Sequence, residues 1–184
     1  MGERKKYHRG RRKKKKGGII STLILIIAIA VFCVSGYQLY KIFGGYHQGK
    51  SEYDKVREVA VHGDDKDEDE FVVDFDELKK INADTVGWIR FYPEPSQISY
   101  PLVQTTDNDL YLNRTFSANE NTVGAIFVNC DNASDFSDRN TIIYGHRMMD
   151  HSMFHDLEKY KDESFWKENP YFYIYTPDGR KLSC

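Results

Sequence analysis

Residues 19–39 are almost entirely apolar, and no charged residue follows until Lys41. A helix of about 20 apolar residues crosses the hydrocarbon layer of a bilayer, because each residue advances it by about 1.5 Å. We therefore predict a transmembrane anchor over residues 19–40. A cleaved signal peptide is the alternative, but the apolar run is long for one, and residues 35–37 (Ser-Gly-Tyr) make a poor cleavage site.

Charge is divided unevenly around this anchor. Residues 1–16 hold ten of the chain's 26 basic residues and one of its 28 acids, so the remainder carries a formal charge of -11. The positive-inside rule then predicts a cytoplasmic basic tail over residues 1–18, with the chain beyond Lys41 outside the cell. The tail is also expected to attract anionic membrane lipids. We expect no nucleic-acid partner, because the tail directly adjoins the span.

Residues 41–70 are predicted to hold an extracellular helix and an acidic linker. The pair Gly44-Gly45 is expected to break the anchor helix, and a short amphipathic helix then runs over residues 51–61. Its buried positions are predicted to be Tyr53, Val56 and Val59 or Ala60. Residues 62–70 are polar and mostly acidic, which is typical of a solvated linker.

The folded domain is predicted over residues 71–184. Asp74 and Glu77 resemble a capping box, and they begin a helix whose buried positions are predicted to be Phe75, Leu78 and Ile81. Apolar and aromatic runs predict strands over residues 86–91, 98–104, 125–128, 140–146 and 171–176, and from residue 181 onward. Pro101 is expected to make 98–104 an edge or interrupted strand. Helical segments are predicted over residues 107–112, 153–160 and 164–169.

One titratable side chain follows an apolar strand that we predict to be buried. In residues 140–146 (Asn-Thr-Ile-Ile-Tyr-Gly-His) the apolar run stops at Gly145, and His146 comes next. Histidine suits acid–base chemistry because its unperturbed pKa is about 6.5. A lone histidine after a strand is more often a loop or core residue, so the position alone leaves both readings open. No Cys-x-x-Cys pair or His/Cys cluster indicates a metal site, and no cofactor is expected.

Six stretches together resemble the sortases, and the class B sortases in particular. In the order of that family they are residues 85–89 (TVGWI), 98–104 (ISYPLVQ), 107–112 (DNDLYL), 124–127 (GAIF), 140–146 (NTIIYGH) and 172–179 (FYIYTPDG). Several motifs in one order are far more specific than any one of them. The resemblance covers roughly residues 75–184.

The resemblance implies a fold that the strand pattern also favours, since short strands separated by turns indicate a closed or nearly closed barrel. The sortase fold is an eight-stranded β-barrel, to which class B adds helices. The expected fold is therefore mainly β with short helices: a partial sortase-type barrel, preceded by an N-terminal transmembrane helix. Residues 71–184 would hold the first half to two-thirds of it, truncated at the C-terminus.

The resemblance also implies a cysteine transpeptidase. Sortases cut a sorting signal near the C-terminus of a secreted protein, hold the acyl part as a thioester, and pass it to a cell-wall amine. His146 matches the family's histidine, which protonates the leaving amine. The implied partners are the sorting-signal peptide, the lipid II cross-bridge amine and membrane lipids. The implied location is the cell membrane, with the C-terminal domain extracellular.

The family's nucleophilic cysteine and its arginine have no counterpart in the sequence. That cysteine ends a later strand in a Thr-x-x-Cys context, with the arginine on the strand after it. Cys130 precedes the histidine, and Cys184 begins a strand at what is expected to be a frayed terminus. A disulfide between these two remains open, and Cys33 lies in the span. The arginines outside the expected position are Arg139, Arg147 and Arg180, the second of which stands where the family often has Asn.

Two interpretations follow from this mismatch. In the first, the chain is an N-terminal fragment of a class B sortase, inactive as it stands. In the second, it is a catalytically inactive, sortase-like surface binding module. A third, an unrelated anchored β-domain that acts as receptor or scaffold, is disfavoured by the ordered motifs.

Overall fold

A computed structural model describes residues 17–63 and 70–184, and the chain divides into two compact units, residues 1–41 and 42–184. The predicted basic tail falls almost wholly on residues 1–16, and most of the acidic linker falls on 64–69; both stretches lie outside the described residues. Helix α1 (Gly17–Ala60) runs through both units. In the first unit its large apolar side chains are exposed. Among the described residues, α1 is the one helix long and apolar enough to cross a membrane.

The predicted helix break at Gly44-Gly45 is wrong, because both glycines lie inside α1. A glycine within a helix costs only about 1 kcal/mol relative to alanine, which weakens a helix without ending it. Gly49 shows that packing favours glycine on this stretch, since a Cβ there would lie 2.9 Å from Cγ2 of Val123. The predicted amphipathic helix is the last part of α1. Its buried residues are Tyr53, Val56 and Ala60, whereas Val59 is exposed.

The second unit contains eight strands in the described residues. A two-stranded antiparallel sheet pairs β1 (Val61–His62) with β2 (Val72–Val73). The larger sheet consists of β3 (Thr85–Phe91), β4 (Ser99–Val103), β5 (Ile126–Val128), β6 (Ile143–Tyr144), β7 (Phe172–Tyr175) and β8 (Lys181–Ser183). Its order is β6-β5-β4-β3-β7-β8, and only the β4–β5 pair is parallel. Since the described strands β6 and β8 do not pair, closure into a barrel stays a prediction.

Strand β4 is central and continuous, so the prediction of an edge or interrupted strand at 98–104 is wrong. The amide of Phe91 donates to the carbonyl oxygen of Ile98 at 2.8 Å, which makes this a hydrogen-bonded pair. Hydrogen-bonded and non-bonded pairs alternate in an antiparallel ladder, so the pair Trp88–Pro101 three positions on is non-bonded. The nitrogen of Pro101 therefore faces away from β3, and its missing N–H removes no bond from this ladder.

Helix α2 (Phe75–Ile81) begins with half of the predicted capping box. The carboxylate of Asp74 accepts from the amide of Glu77 at 3.0 Å. The return bond is absent from the described contacts: the carboxylate of Glu77 pairs with Lys80, and the amide of Asp74 donates to the Ala60 carbonyl at 2.7 Å. Leu78 is fully buried, but Ile81, the last helical residue, is 39% exposed, so its predicted burial is wrong.

The remaining helices are short. Leu110–Leu112 and His155–Lys161 are 3-10 helices, and α3 (Glu163–Glu168) is followed by Pro170 as predicted. The predicted α-helix at 153–160 is thus a 3-10 helix. Its apolar residues Phe154, Leu157 and Tyr160 recur every third position, and three residues per turn place them all against the core.

The hydroxyl of Tyr53 ties the end of α1 to the loop before β5. It donates to the carbonyl oxygen of Gly124 at 2.8 Å and accepts from the amide of Phe116 at 3.2 Å. The ring is 8% exposed and packs edge-on against Tyr100. Because no water reaches these groups, the loss of the hydroxyl would leave a buried donor and a buried acceptor without partners.

Removal of the Tyr53 hydroxyl tests the contribution of its two hydrogen bonds to stability. We expect Tyr53→Phe to lower the free energy of unfolding by about 1–3 kcal/mol, the cost of unpaired buried polar groups. Tyr171→Phe, at a tyrosine that is 56% exposed, is the matched control and should change little. Denaturant unfolding of the full chain in detergent, followed by tryptophan fluorescence, measures both. Equal stability of the two variants would contradict the role given to Tyr53.

Candidate functional site

His146 lies just beyond β6, at one edge of the larger sheet. The ladder pairs Phe127 with Tyr144, so its continuation places His146 beside Ala125 at the start of β5. The carbonyl of His146 accepts from the amide of Phe154 at 2.9 Å, and this hydrogen bond also fixes the backbone at His146. The prediction of a buried strand over 140–146 is wrong in extent. Strand β6 has two residues and an exposed side, because it pairs only with β5 among the described strands.

The imidazole of His146 packs against the backbone of Gly124. Gly124 has φ of +66°, and a Cβ placed there would lie 2.9 Å from Nδ1 of His146. The same point lies 2.9 Å from the carbonyl oxygens of Tyr111 and Leu112. Any side chain at position 124 would therefore displace the imidazole or the two carbonyls. The hydroxyl of Tyr53 holds the carbonyl of Gly124, so the surface beneath the imidazole is fixed by a buried hydrogen bond.

Gly145 has a similar role one residue before the histidine. A Cβ at this position would overlap the side chains of Ile126 and Phe154. The chain can reach His146 along this path only with no side chain at 145. The apolar run thus ends at a glycine because the chain passes close to two core-packed side chains.

His146 is half-buried and makes no side-chain hydrogen bond or ion pair with residues 17–63 or 70–184. An imidazole with a free ring nitrogen can donate or accept a proton near neutral pH. The geometry therefore positions the imidazole of His146, but it does not itself supply a nucleophile.

The structure places Cys130 away from His146. Continuing the β5–β6 register puts His146 beside Ala125, five residues before Cys130. Strand β5 ends at Val128, so Cys130 lies beyond the end of this strand that is away from His146. The amide of Cys130 donates to Oδ1 of Asn108 at 2.9 Å, which holds it in the loop beyond β5.

Cys184 lies beyond β8, at the sheet edge opposite to β6, with four strands between. The prediction of a frayed terminus is wrong, because Cys184 and Phe172 exchange two backbone hydrogen bonds of 2.9 and 3.2 Å. Burial raises the pKa of the Cys184 thiol, which disfavours the thiolate. Both Cys184 and Cys130 are free, so the disulfide left open by the sequence is not formed.

Two of the arginines outside the family's expected position, Arg147 and Arg180, are paired with carboxylates. The guanidinium of Arg147 pairs with Glu158, which also accepts from Lys161 at 2.9 Å. The hydrogen bonds from Lys161 and Arg147 lower the pKa of Glu158 to about 2. A lowered pKa means that this pairing stabilises the fold fully above the unfolded pKa and is lost only as the pH falls through about 2. Arg180 donates to Asp178 at 2.6 Å.

His146 stays the predicted site residue, and the sequence did not indicate the two residues that position it, Gly124 and Tyr53. Gly124 stood in a recognised motif without an assigned role, and its positive φ is the property that the sequence could have suggested. Tyr53 was assigned only to the buried face of a helix. Its hydroxyl contacts depend on residues 63 and 71 positions away, and helical spacing carries no signal for such a contact.

Substitutions at two glycines distinguish the cost of backbone strain from the displacement of the His146 imidazole. Gly124→Ala and Gly179→Ala each force an alanine to positive φ, at a cost of about 1–2 kcal/mol. A Cβ at 179 meets nothing within 4 Å, whereas one at 124 meets the imidazole and two carbonyls. We expect Gly124→Ala to lose more stability and to shift the ring resonances of His146 in NMR spectra. Equal losses, with unshifted His146 resonances in both variants, would show that the imidazole does not rest on Gly124.

Comparisons with known proteins agree with the motifs. A search of family models found no match. Sortase B of Listeria monocytogenes is 34% identical over 157 residues, which are 81% of this chain and 61% of that protein. Sortase B of Staphylococcus aureus is 30% identical over 148 residues, which are 80% of this chain and 60% of that protein. The chain thus spans about 60% of the length of these relatives.

Solved structures show the same relationship in the fold. A crystal structure of sortase B from Bacillus anthracis matches with a TM-score of 0.66 and 33% identity, covering 77% of this chain and 66% of that one. A class B sortase involved in pilus biogenesis in Streptococcus pyogenes matches with a TM-score of 0.57 and 32% identity, covering 60% of each chain. Over about four-fifths of its own length, the chain is a homologue of the class B sortases.

Proposed function

We propose that the chain is the N-terminal part of a membrane-anchored class B sortase, in which His146 is the general acid–base. The observation that carries the proposal is the packing of the His146 imidazole against Gly124, within the region homologous to sortase B. The ring is positioned by backbone on one side and is free of hydrogen bonds to the described residues. Such an imidazole can protonate a leaving amine and later deprotonate an incoming one.

The proposed reaction proceeds through a thioester. A thiolate attacks the carbonyl carbon of the sorting-signal peptide bond, and the bond to nitrogen breaks as His146 protonates the departing amine. A cell-wall amine, such as that of a lipid II cross-bridge, then attacks the thioester, loses a proton to the imidazole and releases the thiolate. Two steps of moderate difficulty thus replace one direct transfer.

The thiol for this reaction is proposed to come from sequence beyond Cys184. The positions of Cys130 and Cys184 support this, since Cys130 follows the end of β5 that is away from the histidine, and Cys184 follows β8, which does not pair with β6 among the described strands. The curated relatives are longer than the part that this chain spans. The chain as given is therefore expected to lack transpeptidase activity.

The positions of the two thiols also favour a second candidate. A sortase-like domain without a nucleophile near its histidine can still bind an extended peptide at the surface. In that case the chain is a surface binding module, and His146 donates or accepts a hydrogen bond with the ligand instead of transferring a proton. The reading frame that follows codon 184 distinguishes the candidates, because the enzyme needs a Thr-x-x-Cys motif and a later arginine in frame.

Peptide cleavage tests the proposed enzyme. We expect the 184-residue chain to leave a fluorogenic panel of sorting-signal peptides uncut, and Cys184→Ala to change nothing. In a chain that continues in frame through the Cys and Arg, we expect cleavage, and His146→Ala should reduce it about 10²- to 10⁴-fold by removing the acid–base group. His62→Ala, at an exposed histidine in β1, is the control and should retain activity.

Two results would contradict this account. Thiol-dependent cleavage by the 184-residue chain that disappears on Cys184→Ala would make Cys184 the nucleophile. An in-frame stop directly after Cys184, together with peptide binding that weakens on His146→Ala, would favour the binding module.

The membrane topology is also part of the proposal. The exposed apolar side chains of α1 in the first unit, preceded in sequence by ten basic residues, support an anchor with its N-terminus in the cytoplasm. We expect protease added to intact cells to digest residues 42–184 and to spare an epitope tag placed before Met1 until the cells are lysed. Protection of residues 42–184 in intact cells would rule out this topology.

A further inference from the structure

Three potential metal ligands converge in the segment that follows His146. One potential ligand atom from each of His151, His155 and Asp156 lies within 4.8 Å of the other two. The rings of His151 and His155 are 4.1 Å apart between centroids, and Nδ1 of His151 is 3.6 Å from Oδ1 of Asp156. Two imidazoles and a carboxylate form a ligand set typical of zinc sites. This ligand set contains no Cys-x-x-Cys pair or His/Cys cluster, so the sequence alone did not predict a metal site here.

The segment is fixed by contacts outside the cluster. The amide of Met153 donates to the hydroxyl of Tyr100 at 3.0 Å, and Met153 is fully buried. The amide and hydroxyl of Ser152 donate to Asp150 at 3.1 and 2.6 Å. His151 has φ of +65°, which turns the chain so that its ring lies against that of His155, at the start of the 3-10 helix. The cluster is therefore held in a defined turn.

The ring of His155 has the tautomer that metal binding needs. Its Nδ1 lies 2.5 Å from the carbonyl oxygen of Met148. A carbonyl only accepts, so Nδ1 carries the proton, and the lone pair of the neutral ring is on Nε2. Histidines that bind metals commonly donate their other ring N–H to a backbone carbonyl in this way. This contact is an observation separate from the proximity of the three residues.

The carboxylate of Asp156 has one oxygen left for a cation. Nζ of Lys159 contacts Oδ2 at 2.8 Å, while Oδ1 faces His151. At 5% exposure this carboxylate has lost most of its water, which strengthens its interaction with a cation.

We propose that His151, His155 and Asp156 bind a divalent transition-metal ion of the zinc type, with water in the remaining position. Zinc lies about 2.0–2.2 Å from such ligands, so the cluster must contract by rotation of side chains. The exposed ring of His151 can make that adjustment, because 67% of its side-chain surface is open to solvent. The proposal is independent of the transpeptidase function, since none of its tests requires turnover.

The site would act on the same backbone that carries His146. The amide of Phe154 donates to the carbonyl of His146, and the backbones of Arg147 and Met153 form an isolated antiparallel β-bridge. A metal that joins residues 151 and 155–156 would therefore hold the chain immediately after His146. A bound ion is expected to reduce backbone motion there.

The test uses the full chain in detergent, with Co²⁺ as a spectroscopic probe and Zn²⁺ as its competitor. We expect one equivalent of Co²⁺ to give a ligand-field absorption that Zn²⁺ abolishes. His151→Ala, His155→Ala and Asp156→Asn should each weaken Zn²⁺ binding by about tenfold or more in isothermal titration. His47→Ala, at an exposed histidine on α1, is the matched control and should leave binding unchanged.

His151 is exposed, so its substitution is expected to remove a ligand without unfolding the segment. Asp156→Asn removes a buried carboxylate and can unfold the segment, whereas His151→Ala should retain the metal-free melting temperature. Weakened binding by a stably folded His151→Ala protein supports the site. Unchanged affinity in that variant, or no binding of either metal by the wild-type chain, would show that the cluster is an ion-pair network only.

Discussion

The hydrogen bond from Tyr53 to the carbonyl of Gly124 is the constraint on which the candidate site depends. It joins a helix to a loop 71 residues later in the chain, and it fixes the backbone against which His146 packs. The hydroxyl also accepts from Phe116, so one side chain determines the positions of two loop segments. Burial raises the pKa of Tyr53, which keeps this hydroxyl protonated and able to donate.

The end of α1 in the second unit is therefore part of the site's framework. Glu52, next to Tyr53, accepts from the amide of Ser117 at 3.0 Å and from the side chain of Asn119 at 3.1 Å. Gly49 packs closely against Val123, one residue before Gly124. The helix thus holds the loop before β5 at several points, and this loop holds the imidazole.

The sequence predicted the sheet well where local pattern decides structure. Strands rich in β-branched and aromatic residues were located within a few positions, and the motif order led to His146. Predictions failed where contacts with distant residues determine the structure. Pro101 is accommodated in a central strand because its nitrogen faces away from β3. The glycines at 44 and 45 lie within α1 without ending it. The cluster of His151, His155 and Asp156 depends on a turn with positive φ at a non-glycine residue, which local propensity disfavours.

The nuclear Overhauser effect between the α protons of Gly124 and the ring protons of His146 tests directly whether the imidazole packs on Gly124. We expect strong cross-peaks between these groups in the folded chain, and none from the His146 ring to the β protons of Cys130 or Cys184. Cross-peaks to either cysteine, with none to Gly124, would contradict this placement of His146. They would show that a thiol lies beside the imidazole and that the imidazole does not pack on Gly124.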